Sequence, residues 1–150
     1  MRLARLLASG FGAGFVPVAP GSVGSAVAIV LGVGLLAAPA WALPCAAAAA
    51  SLGGLWAIRA ALVEGDPGWV TIDEVAGQWI ALLGLARPTV VGLVAAFLLF
   101  RLLDVVKPGP VGWADRQGGA AGIVADDLIA GALAAGVLWA VRTHWPWVFG

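Results

Sequence analysis

The sequence predicts an all-α membrane protein, built as a bundle of four or five hydrophobic helices. Of its 150 residues, 62% are hydrophobic and only 11% are charged, and the mean hydropathy is +1.02. Soluble proteins carry about 25% charged residues, so a soluble fold of this composition would leave large apolar patches exposed. The apolar residues also fall into long runs with almost no charge, as in transmembrane helices. We expect residues 1–150 to form a single membrane-embedded domain.

Five apolar runs are expected to form the helices. In chain order they are Val23–Ala38, Cys45–Leu62, Val70–Ala86, Thr89–Val106 and Ala120–Val141. At about 1.5 Å per residue, these runs of 16–22 residues reach roughly 24–33 Å, and the hydrocarbon core of a bilayer is ~30 Å thick. The sequence leaves open which of the third and fourth runs crosses the bilayer completely.

Prolines and glycines mark the ends of these runs. Pro39 and Pro44 enclose the turn between the first two runs, and the Asp-Pro-Gly sequence at residues 66–68 is typical of a turn that opens the third helix. Pro88 stands where the fourth helix can begin, because the first helical position does not need an N–H donor. The glycine-rich stretch Gly118–Gly122 precedes the fifth run.

The distribution of charge predicts how the bundle is oriented. If the N-terminus is cytoplasmic and five spans alternate, six of the eight basic residues lie inside, as the positive-inside rule requires. The same threading places all eight acidic residues on the cytoplasmic side. Since the total charge is balanced and no basic stripe exists, we do not expect nucleic-acid binding.

Six charged residues lie within or at the ends of apolar runs rather than in solvated loops. They are Asp73, Glu74, Arg101, Asp104, Asp126 and Asp127. An unpaired charge in hydrocarbon costs roughly 2.5–3.5 kcal/mol, so these side chains must face one another, water or a metal ion. Helix capping would explain single acids, but it does not explain two adjacent acids in two different runs. We therefore expect a polar site at one face of the bilayer.

In two of these runs, the spacing of the charged residues suggests which of them bind phosphate and which bind a cation. Arg101 and Asp104 lie three residues apart and project together from a helix, with Lys107 three residues further on. They form either a simple helix-end salt bridge or a site in which the two basic residues grip phosphate oxygens while Asp104 ligates a cation. Asp126 and Asp127 diverge by about 100° around the helix axis. One of them is expected to ligate the cation, and the other is expected to be held in place by a neighbouring group of the protein.

The start of the first apolar run offers a place for an anion. Gly21 and Ser22 lie just before it, and backbone N–H groups at a helix N-terminus can bind phosphate, although Pro-Gly-Ser is also an ordinary turn and cap. Carboxylates beside a phosphate favour Mg²⁺, which takes one or two carboxylates together with substrate oxygens and water. The residues therefore predict metal-assisted phosphoryl transfer.

Other mechanisms lack the residues that they need. Cys45 is followed six places later by Ser51 rather than by arginine, which excludes a cysteine-phosphatase loop. The chain has no Asp-x-Asp pair, only one histidine and no CDP-alcohol phosphotransferase pattern. The rival hypothesis is a small cation or proton transporter, because intramembrane acids also mark ion pathways. The clustering of the acids at one face argues against that rival.

Four sequence blocks resemble the phosphatidylglycerophosphatase A family of bacterial inner-membrane enzymes. They occur in the family's order, within about Gly10–Ala134, and they are Gly12–Ser25, Asp66–Leu82, Phe100–Pro110 and Gly118–Gly131. The resemblance implies Mg²⁺-dependent removal of the terminal phosphate of phosphatidylglycerophosphate in the inner membrane, and the threading of the charges predicts that the site is on the cytoplasmic face. Four positions differ from the common residues of the family without removing a charge: Ser22, Leu103, Gly109 and Val124.

The resemblance and the residue patterns together give the expected site. The expected catalytic residues are Asp73, Glu74, Asp104 and Asp127. The expected metal ligands come from Asp66, Asp73, Glu74, Asp104, Asp126 and Asp127. The expected phosphate-binding residues are Arg101, Lys107, Ser22 and Gly21. The attacking group, water or an aspartate, stays open, as do the number of metal ions, the oligomeric state and a substrate that is another membrane phosphomonoester lipid.

Overall fold

The computed structural model describes residues 2–61, 63–65 and 67–149. In this part of the chain it contains seven α-helices, two short 3-10 turns at Ala13–Phe15 and Pro146–Val148, and no strand. The helices are α1 (Arg2–Ala8), α2 (Pro20–Ala37), α3 (Ala42–Ala60), α4 (Ile72–Leu82), α5 (Val90–Val106), α6 (Pro110–Asp115) and α7 (Gly119–His144). The expected all-α fold is confirmed.

Each expected apolar run contains a helix, but the third run is much shorter than expected. Helix α4 has 11 residues, about 16 Å, and it ends at Leu82 rather than at Ala86. The chain there tightens into successive i to i+3 hydrogen bonds, in which the N–H groups of residues 83, 84 and 85 donate to residues 80, 81 and 82. The expected end of the second run, Leu62, lies outside the described residues.

Among the described helices, α2, α3 and α7 are long and apolar enough to cross a bilayer, with 18, 19 and 26 residues. Helix α5 is similarly apolar and has 17 residues. At about 16 Å, α4 reaches across only half of a ~30 Å hydrocarbon core. The hydrophobic helices of the bundle are therefore unequal in length.

The short helix α4 lies at the centre of the bundle. It packs against α2, α3, α5 and α7, and Ala76, Gln78 and Leu82 are completely buried. Trp79 donates a hydrogen bond from Nε1 to the carbonyl oxygen of Ala28 on α2, at 2.9 Å. Because longer helices surround it, α4 can start inside the bundle without exposing its first turn to lipid.

Glycines allow α4 and α7 to approach very closely. A Cβ atom on Gly131 would collide with the carbonyl oxygen of Gly77, and a Cβ atom on Gly77 would lie 2.6 Å from the carbonyl oxygen of Asp127. Small residues permit this kind of close helix packing in membranes. On each helix an aspartate, Asp73 or Asp127, lies four residues before the glycine and thus on the same face.

Two short helices, α1 and α6, were not expected from the sequence. Ala4 and Ala8 of α1 are buried, the helix packs against α3, and the N–H of Thr71 donates to the carbonyl oxygen of Ala8 at 2.9 Å. Helix α6 begins with Pro110 at its first position and packs against α7. Both helices lie beside the end of the bundle where α4 and α7 begin.

Candidate active site

Five carboxylates from three helices meet at this end of the bundle. Asp73 and Glu74 come from α4, Asp104 from α5, and Asp126 and Asp127 from α7. They form two groups of three, Asp73 with Glu74 and Asp127, and Asp104 with Asp126 and Asp127; within each group, one oxygen per residue lies within 4.8 Å of the others. The sequence-predicted acids are thus brought together, and Asp127 belongs to both groups.

The site extends below the ends of α5 and α7, whereas Asp73 and Glu74 lie in the first turn of α4, which itself starts inside the bundle. Asp127 follows the start of α7 by eight residues, about 12 Å, and Arg101 precedes the end of α5 by five residues, about 8 Å. Asp73, Asp126 and Asp127 are only 5%, 4% and 3% exposed. The site is therefore a recess within the bundle rather than a patch on its surface.

In each adjacent pair of acids, the first side chain turns back to the backbone of the second. Asp73 Oδ1 accepts a hydrogen bond from the N–H of Glu74 at 3.1 Å, and Asp126 Oδ1 accepts one from the N–H of Asp127 at 3.0 Å. The negative charge of Asp73, in the first turn of α4, also complements the helix dipole. These bonds fix the direction in which the first carboxylate of each pair points.

Arg101 links α5 to α4. Its guanidinium forms an ion pair with Asp104 on the same helix, and its Nη1 lies 3.9 Å from Glu74 Oε1 on α4. The helix-end salt bridge considered from the sequence is present, but it belongs to a larger network. Two buried atoms of this network, Glu74 Oε2 and Arg101 Nε, have no hydrogen-bond partner within the described protein. Because an unpaired buried polar group costs about 1–3 kcal/mol, a ligand that binds a carboxylate and a guanidinium fits here.

Lys107 closes the rim of the recess. It ends α5 in the left-handed conformation, with φ of +51°, which is uncommon for a residue with a side chain. Its Nζ donates hydrogen bonds to Asp115 and to Asp126, the latter at 2.7 Å. Burial lowers the pKa of Lys107, but the hydrogen bonds that its Nζ donates to the two carboxylates, together with their negative charges, outweigh burial and hold this pKa above its ordinary value. Lys107 is therefore a permanent cation that holds Asp126.

Asp115 has no expected role from the sequence. It reaches Lys107 because α6 turns the chain back toward the start of α7. The sequence signal that could have revealed it is the pair of prolines at 108 and 110, which requires a turn between the basic residue and the acid.

The start of α2 completes the recess. Gly21 is buried, and a Cβ atom on it would collide with Glu74 Oε1 and lie 3.1–3.2 Å from the terminal nitrogens of Arg101. The first hydrogen bond of α2 runs from the N–H of Val23 to Ala19, so the N–H groups of Gly21 and Ser22 precede it. Of the expected phosphate-binding residues at this helix start, Gly21 therefore adjoins the ion-pair network, and Ser22 is the next residue of the helix. The remaining expected ligand, Asp66, lies outside the described residues.

Comparisons with known proteins agree on one family. The family model described as phosphatidylglycerophosphatase A matches residues 6–142. The chain is 37% identical to the phosphatidylglycerophosphatase A of Escherichia coli, over 95% of this chain and 85% of the relative. It is 34% identical to the phosphatidylglycerophosphatase A of Haemophilus influenzae, over 94% of this chain and 89% of the relative.

A third relative bears a different name. A Bacteroides thetaiotaomicron protein, named as a candidate phosphatidylinositol-3-phosphatase, is 34% identical over 84% of this chain and 85% of its own length. No solved structure matches this chain at a significant level. The matched span includes all five clustered carboxylates together with Arg101 and Lys107. As the four sequence blocks implied, the chain belongs to the phosphatidylglycerophosphatase A family.

Proposed function

We propose that this protein is a membrane phosphatase that removes the terminal phosphate of phosphatidylglycerophosphate and leaves phosphatidylglycerol for phospholipid synthesis. The observation that carries the proposal is the recess of five carboxylates beside Arg101, in a chain of this family. Two relatives that match at least 94% of this chain bear the name of that activity. We further propose a single domain in the bacterial inner membrane, with the recess facing the cytoplasm as the distribution of basic residues predicts.

The donor set of the recess fits Mg²⁺. All the clustered donors are carboxylate oxygens, which hard cations prefer, and Glu74 Oε2 is buried without a hydrogen-bond partner among the described residues. Asp73, Glu74 and Asp127 would hold one ion, and Asp104, Asp126 and Asp127 offer a second position. Asp66 remains a proposed further ligand. Bound Mg²⁺ would polarise the phosphate and neutralise its charge.

We assign the phosphate to the side of the recess formed by α2 and α5. Arg101 can bind two phosphate oxygens with its planar guanidinium, and Asp104 holds that guanidinium in place. The N–H groups of Gly21 and Ser22 point from the start of α2, where the helix dipole favours an anion. Lys107 would contribute a fixed positive charge at the rim, next to Asp126.

The catalytic residues are proposed to be Asp73, Glu74, Asp104 and Asp127. The attacking oxygen belongs to water that one of these carboxylates deprotonates, or to one of the aspartates itself. Rapid acid quenching during turnover of a substrate labelled in its terminal phosphate distinguishes the two routes. Label on the protein identifies an aspartate as the nucleophile, and label only in free phosphate and substrate identifies water.

A second candidate substrate is a phosphoinositide. The third relative carries that activity in its name and matches 84% of this chain. The two substrates share a phosphate monoester on a lipid headgroup and differ in the group that carries it. A recess that recognises only the phosphate and the acyl chains would accept both.

The test is phosphate release by the detergent-purified protein from phosphatidylglycerophosphate and from phosphatidylinositol 3-phosphate, with Mg²⁺ and with EDTA. We expect Mg²⁺-dependent release from the first lipid, a large loss in Glu74→Gln, and normal activity in Glu64→Gln, whose acid belongs to neither carboxylate group. Release from the inositol lipid alone would replace the proposed substrate. No release from either lipid by folded protein, with any divalent cation, would remove the phosphatase proposal and make ion flux in liposomes the next measurement.

A further inference from the structure

An open apolar groove of about 340 Å³ runs along the outside of the bundle between α2 and α5. Its walls include Ala26, Ile29, Val30, Val94, Phe97 and Leu98. Val30 and Leu98 are 72% and 60% exposed, so the groove is open to the surroundings of the bundle. In the membrane arrangement proposed above, those surroundings are lipid.

The α2 wall of the groove leads to the recess. A second apolar depression, of about 430 Å³, shares Ala26 and Val30 with the groove and extends along α2 to Ser22 and Ala19. Ser22, Ala26 and Val30 are spaced by four residues and form one stripe on the helix. This stripe ends beside Gly21, where an added Cβ atom would collide with Glu74 Oε1 and lie 3.1–3.2 Å from the terminal nitrogens of Arg101.

The α5 wall leads to the same point. Phe97 and Leu98 lie one helical turn before Arg101, and Val94 lies two turns before it. Both walls therefore change from apolar to polar at the same level, where the start of α2 meets the guanidinium of α5. This order of surfaces matches that of a lipid phosphate, whose charged group is joined to hydrocarbon chains.

The bundle also has a larger apolar cavity on another side of α2, which shares Val27 and Leu31 with the depression along α2 and is the rival location for an acyl chain. It has a volume of about 570 Å³, and Ala49 on α3 and Ile72, Val75 and Trp79 on α4 line it together with residues of α1 and α2. Among the described residues, none that lines this cavity is charged and none belongs to α5, the helix that carries Arg101. This cavity serves as the internal control for the groove.

We infer that an acyl chain of the lipid substrate lies in the α2–α5 groove while its phosphate lies between Gly21 and Arg101. The inference rests on the proposed function and adds the route by which the substrate reaches a recess that lies about 8–12 Å below the helix ends. Sideways approach through the groove keeps the chain in hydrocarbon, so the lipid does not expose apolar surface to water. The groove thus selects for acylated substrates.

The first test is to fill the groove with Ala26→Trp and the larger cavity with Ala49→Trp, two exposed alanines on long apolar helices. Each purified variant is assayed with long-chain phosphatidylglycerophosphate and with the same headgroup without acyl chains. We expect Ala26→Trp to raise KM for the long-chain lipid about tenfold, with turnover of the deacylated headgroup unchanged. Ala49→Trp is expected to match the wild type on both.

The outcomes separate the groove from the proposed function. If the wild type hydrolyses the long-chain lipid and the two tryptophan variants show equal kinetics, the acyl chain does not bind in the groove, and the proposed phosphatase function is unaffected. An equal loss of activity on both substrates in Ala26→Trp would also contradict binding of the acyl chain in the groove, because the groove should not affect a substrate without acyl chains. Wild type without activity on either substrate would refute the proposed function instead.

A second measurement does not depend on a variant. A phosphatidylglycerophosphate analogue with a photoreactive diazirine in its acyl chain is cross-linked to the wild type, and the labelled peptides are identified by mass spectrometry. We expect label around Ala26 and around Phe97 and Leu98, reduced by excess unlabelled substrate. Label in the larger cavity, or label spread evenly over the outer faces of the helices, would contradict the inference.

Discussion

The helix pairs α4–α7 and α2–α5 pack in opposite ways. At α4–α7, Gly77 and Gly131 bring backbone against backbone, and one turn away on each helix stands a site carboxylate. At α2–α5, side chains such as Phe97 and Leu98 hold the helices apart and leave an open groove. The difference separates two requirements: ligands of an ion need fixed geometry, whereas a flexible hydrocarbon chain needs room.

Asp127→Asn tests the chemistry that the tight pair supports, and its expected effect is the largest. Since Asp127 belongs to both carboxylate groups, we expect phosphate release to fall by more than about 100-fold while the fold persists. Circular dichroism and size-exclusion chromatography in detergent check the fold. Asp115→Asn, which removes an acid at the rim that belongs to neither group, should lose much less activity; an equal loss in both would contradict the central position of Asp127.

Gly131→Val breaks the tight contact itself. The added side chain must push against the carbonyl oxygen of Gly77, so we expect α4 and α7 to separate, with a loss of about 1–3 kcal/mol in stability. A shift of roughly 1 Å between the carboxylates is expected to cost about 100-fold in activity. Thermal unfolding in detergent and phosphate release measure the two effects.

The matched control on the same helix is Gly136→Val. A Cβ atom on Gly136 would meet no atom of the described residues within 4 Å, so this variant should keep both stability and activity. If the two valine variants behaved alike, the close approach of α4 to α7 would not be what positions the carboxylates.

Lys107→Gln sharpens the comparison at the rim of the recess. It leaves Asp126 without its cationic partner, and we expect about a tenfold loss of activity, because the residues around a metal site orient its ligands. Arg116→Gln removes an exposed positive charge nearby and should have little effect. Activity assays at several Mg²⁺ concentrations check the prediction: the Lys107 variant should need more Mg²⁺, and an unchanged Mg²⁺ dependence would contradict its positioning role.

Leu98→Ala probes the loose pair and has the smallest expected effect. Shortening Leu98 should raise KM for the long-chain lipid by a few-fold. The effect is expected to be small because Leu98 is largely exposed, whereas loss of a methylene contact in a fully enclosed pocket changes binding by roughly tenfold or more. Leu102→Ala, also exposed on α5 but outside the groove, is the control. Initial rates in mixed micelles at varied substrate fraction provide the comparison, and equal KM values would argue against contact between Leu98 and the chain.

Much of the site was predictable because an isolated charged side chain is unfavourable within a membrane. The charges of Asp73, Glu74, Asp104 and Asp127 stand in apolar surroundings, and the cost of an isolated charge implied that they meet. Local spacing also predicted that Arg101 and Asp104 share a helix face, and they form an ion pair. The family followed from four motif blocks, and the match over residues 6–142 confirms it.

The length of α4 was not predictable in this way. Hydropathy extends the third run to Ala86, because Leu83 and Leu85 are as apolar as the helix before them. The helix ends at Leu82 in the structure, where the chain forms i to i+3 turns beside α7. An apolar pattern reports burial, and it does not report whether the backbone remains helical.

By itself, the sequence determined the all-α apolar architecture, the residues that carry charge into it and the family to which the chain belongs. Only the tertiary structure decided that Asp127 joins both carboxylate groups, that Lys107 binds Asp115 and Asp126, and that the α2–α5 contact is open. These features depend on distances between segments that are far apart along the chain. Local spacing specifies the face of a helix, whereas packing specifies which faces meet and how closely.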